Sequence, residues 1–127
     1  MRSLLIVDDL PAIHEMLGAI VGTRDYLCAF ALNGEEALRL YREQPFDAVL
    51  ADVNMSPIDG LSLLRKLREQ DPDARVLLMT GSTQREPIDA ARRDGAFAVL
   101  QKPFPFDVLL ETLDRATRGE ADRNDPA

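Results

Sequence analysis

The chain has little of what several protein classes depend on. Among 127 residues it has one cysteine, Cys28, and one histidine, His14. A single cysteine excludes an intrachain disulfide and a cysteine-based metal site. His14 falls on a predicted helix where no nucleophile pairs with it, so we expect an exposed or loosely packed side chain.

Long apolar runs and an excess of positive charge are also missing. The longest apolar run, at 26–32, has seven residues, whereas a membrane-spanning helix needs roughly 20. Residues 1–2 lead directly into a predicted strand, so no signal peptide is indicated, and we expect a cytoplasmic protein that does not bind membranes. The formal net charge of −7 argues against direct nucleic-acid binding, because such binders usually carry a basic surface.

Length and composition predict one folded domain. Apolar residues make up 46% and charged residues 29% of the chain, which is typical of a globular protein with a buried core. No repeat or low-complexity block is present. We predict a domain over residues 1–118, followed at 119–127 by a disordered tail or the stub of a linker, because that segment has no apolar anchor.

Short apolar runs alternate with helical patterns along the whole chain. Five strands are predicted at residues 4–7, 26–31, 48–51, 76–79 and 97–101, and five helices at 11–22, 34–44, 61–70, 86–94 and 106–118. Asn33 is a predicted N-cap residue, with Glu36 three positions later. Such alternation indicates an α/β fold, here a doubly wound five-stranded parallel sheet of flavodoxin-like order 2-1-3-4-5.

Polar residues follow four of the predicted strands. Asp8 and Asp9 follow the first, Asp52 ends the third, Thr80 ends the fourth and Lys102 follows the fifth. Ligands of open parallel sheets bind beyond the carboxyl ends of the strands, so these residues should converge on one site. Each one alone has a simpler explanation as a helix cap or turn residue. Together, at four strand ends, they indicate a functional site.

The residue types at this site suit metal-assisted phosphoryl transfer. Crowded carboxylates repel one another unless they share a proton or bind a cation, and Mg²⁺ commonly takes one or two carboxylates and keeps several waters. Asp52 can then act as an ionised nucleophile that forms an aspartyl-phosphate. Lys102 would supply positive charge and the Thr80 hydroxyl a hydrogen bond to the phosphoryl oxygens.

From residue 4 to about 118 the chain resembles the response-regulator receiver family of two-component signalling. The matching segments are IVDD at 6–9, NGEEAL at 33–38, DAVLAD at 47–52, IDG at 58–60, MTG at 79–81, GA at 95–96 and KPF at 102–104. The resemblance implies that Asp52 accepts a phosphoryl group from a histidine kinase, a phosphotransfer protein or a small phosphodonor. It implies a stoichiometric switch that catalyses only its own phosphorylation and dephosphorylation.

The same resemblance implies a cofactor, a ligand set and partners. Mg²⁺ (or Mn²⁺) would be held by Asp9, Asp52 and the backbone carbonyl of Asn54, with Asp8 acting largely through water. The peptide bond before Pro103 would be cis. A downstream effector protein or domain would read the phosphorylated state on the fourth helix, fifth strand and fifth helix of a monomer or weak dimer.

Two positions depart from the family pattern. Pro57 stands one place later than the family's usual loop proline, although the spacing from Asp52 to Gly60 is kept. At Val99 the family usually has an aromatic residue whose ring turns inward when the residue matching Thr80 moves toward the phosphate. Thr80 and Val99 are the predicted switch positions, and valine has no comparable ring movement.

Three other functions fit the sequence less well. A docking module without a phosphorylation cycle gains some support from Val99 and Pro57, although no acid, acceptor or lysine is lost. A hydrolase using an aspartyl-phosphate would want a second acid two residues after the nucleophile, where Asn54 stands. A flavin-binding domain would want a phosphate loop where Asp8 and Asp9 would repel a phosphate.

Overall fold

A computed structural model of the protein describes residues 2–55, 58–81 and 85–118. Strands and helices alternate in the order β1 (Arg2–Val7), α1 (Pro11–Val21), β2 (Tyr26–Ala31), α2 (Gly34–Glu43), β3 (Ala48–Asp52), α3 (Gly60–Gln70), β4 (Val76–Thr80), α4 (Arg85–Arg93), β5 (Ala98–Gln101) and α5 (Phe106–Thr117). In the part of the chain that the structure describes, no helix is both long and apolar enough to cross a membrane. The predicted tail at 119–127 and Pro57 lie outside the described residues.

The five strands form one parallel sheet in the order β2-β1-β3-β4-β5, which confirms the predicted topology. Val7 pairs with Ala51, and Asp52 pairs with Met79 one residue further along. The strands therefore end nearly level with one another. This register places the polar residues that follow β1, β3, β4 and β5 along one edge of the sheet.

Helices cover both faces of the sheet and create two apolar layers. One layer lies under α2, α3 and α4, and its fully buried members include Leu5, Val7, Leu63, Leu67 and Ala91. The other lies under α1 and α5 and is built around Leu4, Ile6, Leu17, Phe97 and Leu113. Alternate residues of a strand point to opposite faces, so the continuous apolar runs of the central strands serve both layers.

Side chains close the ends of the helices that approach the predicted site. The Asn33 carboxamide accepts a hydrogen bond from the Glu36 amide at 2.8 Å, which caps α2 as predicted. Asp59 caps α3 in the same way, accepting from the Ser62 amide at 2.8 Å. At the far end of α4, Gly95 has φ +93°, a conformation that favours glycine.

Several boundaries differ from the prediction by one or two residues. Helix α3 starts at Gly60 instead of residue 61 because Asp59 supplies a cap that apolar periodicity does not reveal. Helix α4 covers 85–93 instead of 86–94. Strand β1 begins at Arg2, because Arg2 and Tyr26 form the first pair of the β1–β2 ladder.

Candidate functional site

The Asp52 side chain lies at the carboxyl end of β3 and is engaged through both oxygens. Asp52 is 7% exposed. Its Oδ1 accepts a hydrogen bond from the Asn54 amide at 3.0 Å, and its Oδ2 lies 3.1 Å from the Lys102 ammonium. The amide fixes the plane of the carboxylate, while Lys102 balances its negative charge in a largely buried position.

Asp8 is the most deeply buried acid of the site. Its Oδ1 accepts a hydrogen bond from the Leu10 amide at 3.0 Å, whereas its Oδ2 is buried and has no protein hydrogen-bond partner. Burial raises the pKa of Asp8, and the negative charges of Asp52 and Asp9 raise it further, against the opposing effects of the Leu10 amide and Lys102. A buried carboxylate oxygen without a donor is costly unless a proton or a cation reaches it.

Thr80 and Lys102 come from the two strands beyond β3. Thr80 is 1% exposed at the end of β4, and its backbone carbonyl accepts a hydrogen bond from the Lys102 amide at 2.7 Å. The bond between Lys102 and Pro103 is cis. Because the Val53 amide donates to the Met79 carbonyl at 2.9 Å, β3 and β4 remain hydrogen-bonded past Asp52. The backbones of β3 and β4 are thus joined up to the residue after Asp52.

The arrangement of the acids suits a magnesium ion whose shell is completed by water and carbonyl oxygens. It does not suit a cation held by side chains alone. Asp9 is exposed and lines an open cavity of about 390 Å³ together with Val53, Asn54, Met55 and Asp59. Within the described ranges, no three acidic, histidine or cysteine side chains are arranged to hold a metal ion. Mg²⁺ needs only one or two carboxylates when waters and carbonyl oxygens complete its shell. A cation, or a water bound to it, would supply the partner that the Asp8 Oδ2 lacks.

Two of the predicted site residues have less direct roles in this geometry. Asn54 donates its backbone amide to Asp52, and the role of its carbonyl as a metal ligand, which the family resemblance implies, stays a prediction. Val99 is half-buried and packs against the apolar layer under α2, α3 and α4. Its side chain belongs to the core on that face, which also contains Ala91 of α4.

Sequence reasoning missed three residues that shape the site. A Cβ on Gly60 would lie 2.5 Å from the Asp52 carbonyl oxygen, and a Cβ on Gly34 would lie 2.9 Å from the Ile58 Cβ. Asp59 both caps α3 and lines the acidic cavity. An Asp-Gly pair just before an apolar periodic stretch is a recognisable helix-start signal, but only the folded chain shows what each glycine touches.

The ring of His14 packs on a neighbouring strand. Its ring is half-buried and stacks on Phe30, with ring centroids 5.2 Å apart and planes at 29°. His14 therefore packs α1 against β2, and its Nε2 is buried, so the ring is packed in place and not exposed as predicted.

Comparison with known proteins places this geometry in a family. The family model described as "Response regulator receiver domain" matches residues 4–114. A response regulator receiver protein of Anaeromyxobacter sp. is 40% identical over 111 residues, which cover 87% of this chain and 47% of that protein. Chemotaxis protein CheY of Listeria monocytogenes is 36% identical over 119 residues, 93% of this chain and all of CheY. The chain therefore spans less than half of the first relative and the whole length of the second.

Solved structures agree in fold. The response regulator protein TrrA from Thermotoga maritima, in complex with Mg²⁺-BeF, superimposes with a TM-score of 0.83 at 31% identity, covering 91% of this chain and 99% of TrrA. A receiver domain protein from Clostridium thermocellum gives a TM-score of 0.88 at 24% identity, with 93% and 95% covered. The second likeness concerns the fold alone.

Proposed function

The chain belongs to the response regulator receiver domain family, and from that premise we propose that it accepts a phosphoryl group on Asp52 and changes its partner binding as a result. The observation that carries the proposal is the pairing of Asp52 with Lys102 at 3.1 Å, beside a buried Asp8 oxygen that has no protein partner. A receiver is a signalling module, so this chemistry sets a state and does not turn over an external substrate.

The proposed donor is the phosphohistidine of a sensor histidine kinase or phosphotransfer protein. A carboxylate oxygen of Asp52 attacks phosphorus, an O–P bond forms, and the N–P bond breaks so that its electron pair returns to the imidazole. The Asn54 amide holds Oδ1 of the nucleophile. Lys102 already lies at Oδ2 and would follow the negative charge onto the phosphoryl oxygens.

We propose that Mg²⁺, or Mn²⁺ in its place, is held by Asp9, Asp52 and the Asn54 carbonyl, with Asp8 acting through water. When bound, the ion would neutralise the carboxylates and the incoming phosphoryl charge. The Thr80 hydroxyl would donate a hydrogen bond to a phosphoryl oxygen, because Thr80 lies at the end of the neighbouring strand. Its movement toward that oxygen is the proposed first step of the switch.

This chain has an apolar groove beside Lys102 that a donor protein could contact. Ile13, Met16, Phe104 and Phe106 line a groove of about 300 Å³ that also includes Lys102. Met16 and Phe106 are about half exposed, at 43% and 52%. A protein that brings a phosphohistidine to Asp52 would cover this groove and gain apolar contact there.

The proposed output surface comprises α4, β5 and α5, which would bind an effector protein or domain. The second candidate is a docking module that binds partners without a phosphorylation cycle. The observation that favours it is Val99, which lacks an aromatic ring to follow Thr80. A hydrolase acting on external phosphoesters remains disfavoured, since the position two residues after Asp52 holds Asn54.

Intact-protein mass after incubation with Mg²⁺ and a small acyl phosphate tests the proposal, with Asp52→Asn as the matched control. We expect one phosphoryl adduct on the wild type that requires Mg²⁺, and no adduct on the variant. A wild-type chain that binds Mg²⁺ but stays unmodified by both the acyl phosphate and a phosphorylated histidine kinase would favour the docking module.

A further inference from the structure

The loop that follows Asp52 contacts the rest of the protein at three described points. Its first residues remain joined to β4, and the Asn54 amide donates to the Asp52 carboxylate at 3.0 Å. The Met55 side chain is buried, 7% exposed, in the apolar layer under α2, α3 and α4. Ile58 is half-buried and lies against Gly34 at the start of α2. We name the described residues 53–55 and 58–59 the acceptor loop.

The base of the acceptor loop is closed by backbone contact. The Gly60 amide donates to the Val53 carbonyl at 2.9 Å. A Cβ at position 60 would be 2.5 Å from the Asp52 carbonyl oxygen and 2.7 Å from the Val53 Cα. Because the two ends of the loop are held this closely, a displacement of Ile58 cannot be accommodated by moving the ends apart.

Ile58 and Gly34 pack too closely for a side chain at position 34. A Cβ at position 34 would lie 2.9 Å from the Ile58 Cβ and 3.1 Å from its Cγ2, closer than carbon atoms pack without repulsion. Gly34 itself is buried and fixed, because Asn33 caps α2 through the Glu36 amide. A methyl group at position 34 must therefore move either a capped helix or the acceptor loop.

We propose that Gly34 is a positioning residue for phosphoryl transfer, acting through Ile58 to set where the Asn54 segment stands relative to the Asp52 carboxylate. Gly34 does not touch the reacting atoms. The absence of its side chain allows the acceptor loop to stay close enough for the Asn54 amide to orient Asp52, and the same residue carries the carbonyl that the proposed function assigns to the cation. This inference rests on the proposed function, since it assigns a role within that reaction.

The substitution Gly34→Ala tests the proposal. A glycine that serves only the helix would be replaced by alanine with no loss or with a gain in stability. A glycine that positions the acceptor loop would not. We expect Gly34→Ala to lower the phosphorylation rate at saturating acyl phosphate about tenfold, because small misplacements of reacting groups are costly. The half-saturating Mg²⁺ concentration should rise in parallel.

Two further variants separate positioning from general damage. In Gly34→Ala/Ile58→Ala the new methyl group gains the room left by the shortened side chain, so the rate should recover toward the wild type. Gly18→Ala is the matched control: it also places a methyl group against a side chain, 3.2 Å from Phe30 Cζ, but in α1. Gly18→Ala should keep the wild-type rate and Mg²⁺ dependence.

A readout that needs neither metal nor donor is the Asn54 amide resonance in the Mg²⁺-free protein. It should shift in Gly34→Ala, return in the double variant and stay unchanged in Gly18→Ala. If the wild type accepts no phosphoryl group, the proposed function fails. The resonance alone then decides whether Gly34 sets the position of the Asn54 amide. A Gly34→Ala protein with wild-type rate and resonance overturns the inference. Should Gly34→Ala not fold, Ile58→Ala alone must shift the resonance and slow transfer, and an unchanged Ile58→Ala also overturns it.

Discussion

At the scale of single residues, the acids of the site are not equivalent. Asp52 has a donor for each carboxylate oxygen, from Asn54 and Lys102, whereas Asp8 has a donor for one oxygen only. Of these two acids, Asp8 is therefore the one whose hydrogen bonding is incomplete in the metal-free protein. A functional site can retain such a defect when a bound ion relieves it.

We predict that Asp8→Asn stabilises the metal-free protein. Burial raises the pKa of Asp8, so the folded state favours its protonated form and the stability contributed by this group is lost as pH rises through the folded pKa. A neutral side chain removes that loss, and we expect about 1–3 kcal/mol more stability at neutral pH. Urea unfolding with and without Mg²⁺ checks it: Mg²⁺ should stabilise the wild type more than it stabilises Asp8→Asn. A destabilised variant would contradict the reading.

A second prediction concerns the two tyrosines. Burial raises the pKa of Tyr26 to about 12, and its hydroxyl donates to Asp114 at 2.8 Å; burial also raises the pKa of Tyr41. The stability contributed by Tyr26 is complete below the unfolded pKa of about 10 and is lost as pH rises through the folded value.

Ultraviolet titration of tyrosinate measures this directly. The native protein should show little tyrosinate at pH values around 10, where the chain unfolded in denaturant is half ionised. Tyr26→Phe should remove the component near pH 12 and leave only Tyr41. A native protein whose two tyrosines both ionise near 10 would show that neither hydroxyl is buried as described.

At the scale of elements, α4 is the helix with the fewest buried residues among those described. Its one buried residue among the described positions is Ala91, whereas α3 buries Gly60, Leu63, Leu64 and Leu67. The far end of α4 is held by local geometry: Gly95 adopts φ +93° beside the Arg68 guanidinium, and Asp94 pairs with Arg65 at 2.7 Å. Few apolar contacts make a helix easy to shift or open.

We predict that Gly95→Ala destabilises the protein by about 1–2 kcal/mol, because a side chain is strained at positive φ. Thermal unfolding measures the effect. Gly81→Ala is the control, since a Cβ there meets nothing within 4 Å, and it should be neutral or slightly stabilising. Equal losses in both variants would mean that the conformation of Gly95 is not what matters.

At the scale of the whole molecule, the two outer helices of the proposed output surface differ in how firmly they are held. Helix α5 is fixed to the opposite end of the sheet, where Asp114 lies 3.2 Å from Arg2 and 2.9 Å from Arg24 and accepts the Tyr26 hydrogen bond. Helix α4 buries one described residue, Ala91, against the sheet. Movement of Thr80 should therefore be expressed mainly in α4.

We predict that phosphorylation changes amide hydrogen exchange in Arg85–Arg93 and leaves β2, Tyr26–Ala31, unchanged. Val99 lies beside Leu78 on the neighbouring strand and packs in the same apolar layer as Ala91, so a shift there reaches α4 without an aromatic ring. Exchange measured by mass spectrometry with and without acyl phosphate, and on Asp52→Asn, tests this. If exchange in Arg85–Arg93 is unchanged in the phosphorylated protein, the structural change does not pass from Val99 to α4.

The sequence alone determined the features that depend on order along the chain. Periodicity located every strand and helix to within a residue or two, and the alternation of the two element types limits the topology to few choices. Because parallel strands end at a common edge, the positions of Asp8, Asp52, Thr80 and Lys102 at strand ends implied that they meet. The Asn33 cap was also predictable, since a cap and its amide lie three residues apart.

Only the tertiary structure decided the contacts between segments that are distant in sequence. Nothing in the sequence near Gly34 indicates that Ile58 lies against it, and nothing near Asp8 shows that one carboxylate oxygen lacks a donor. The anchoring of α5 by Asp114 is of the same kind. Secondary structure follows from local preferences and hydrophobic pattern, whereas distances of a few ångströms between side chains depend on how all the elements pack at once.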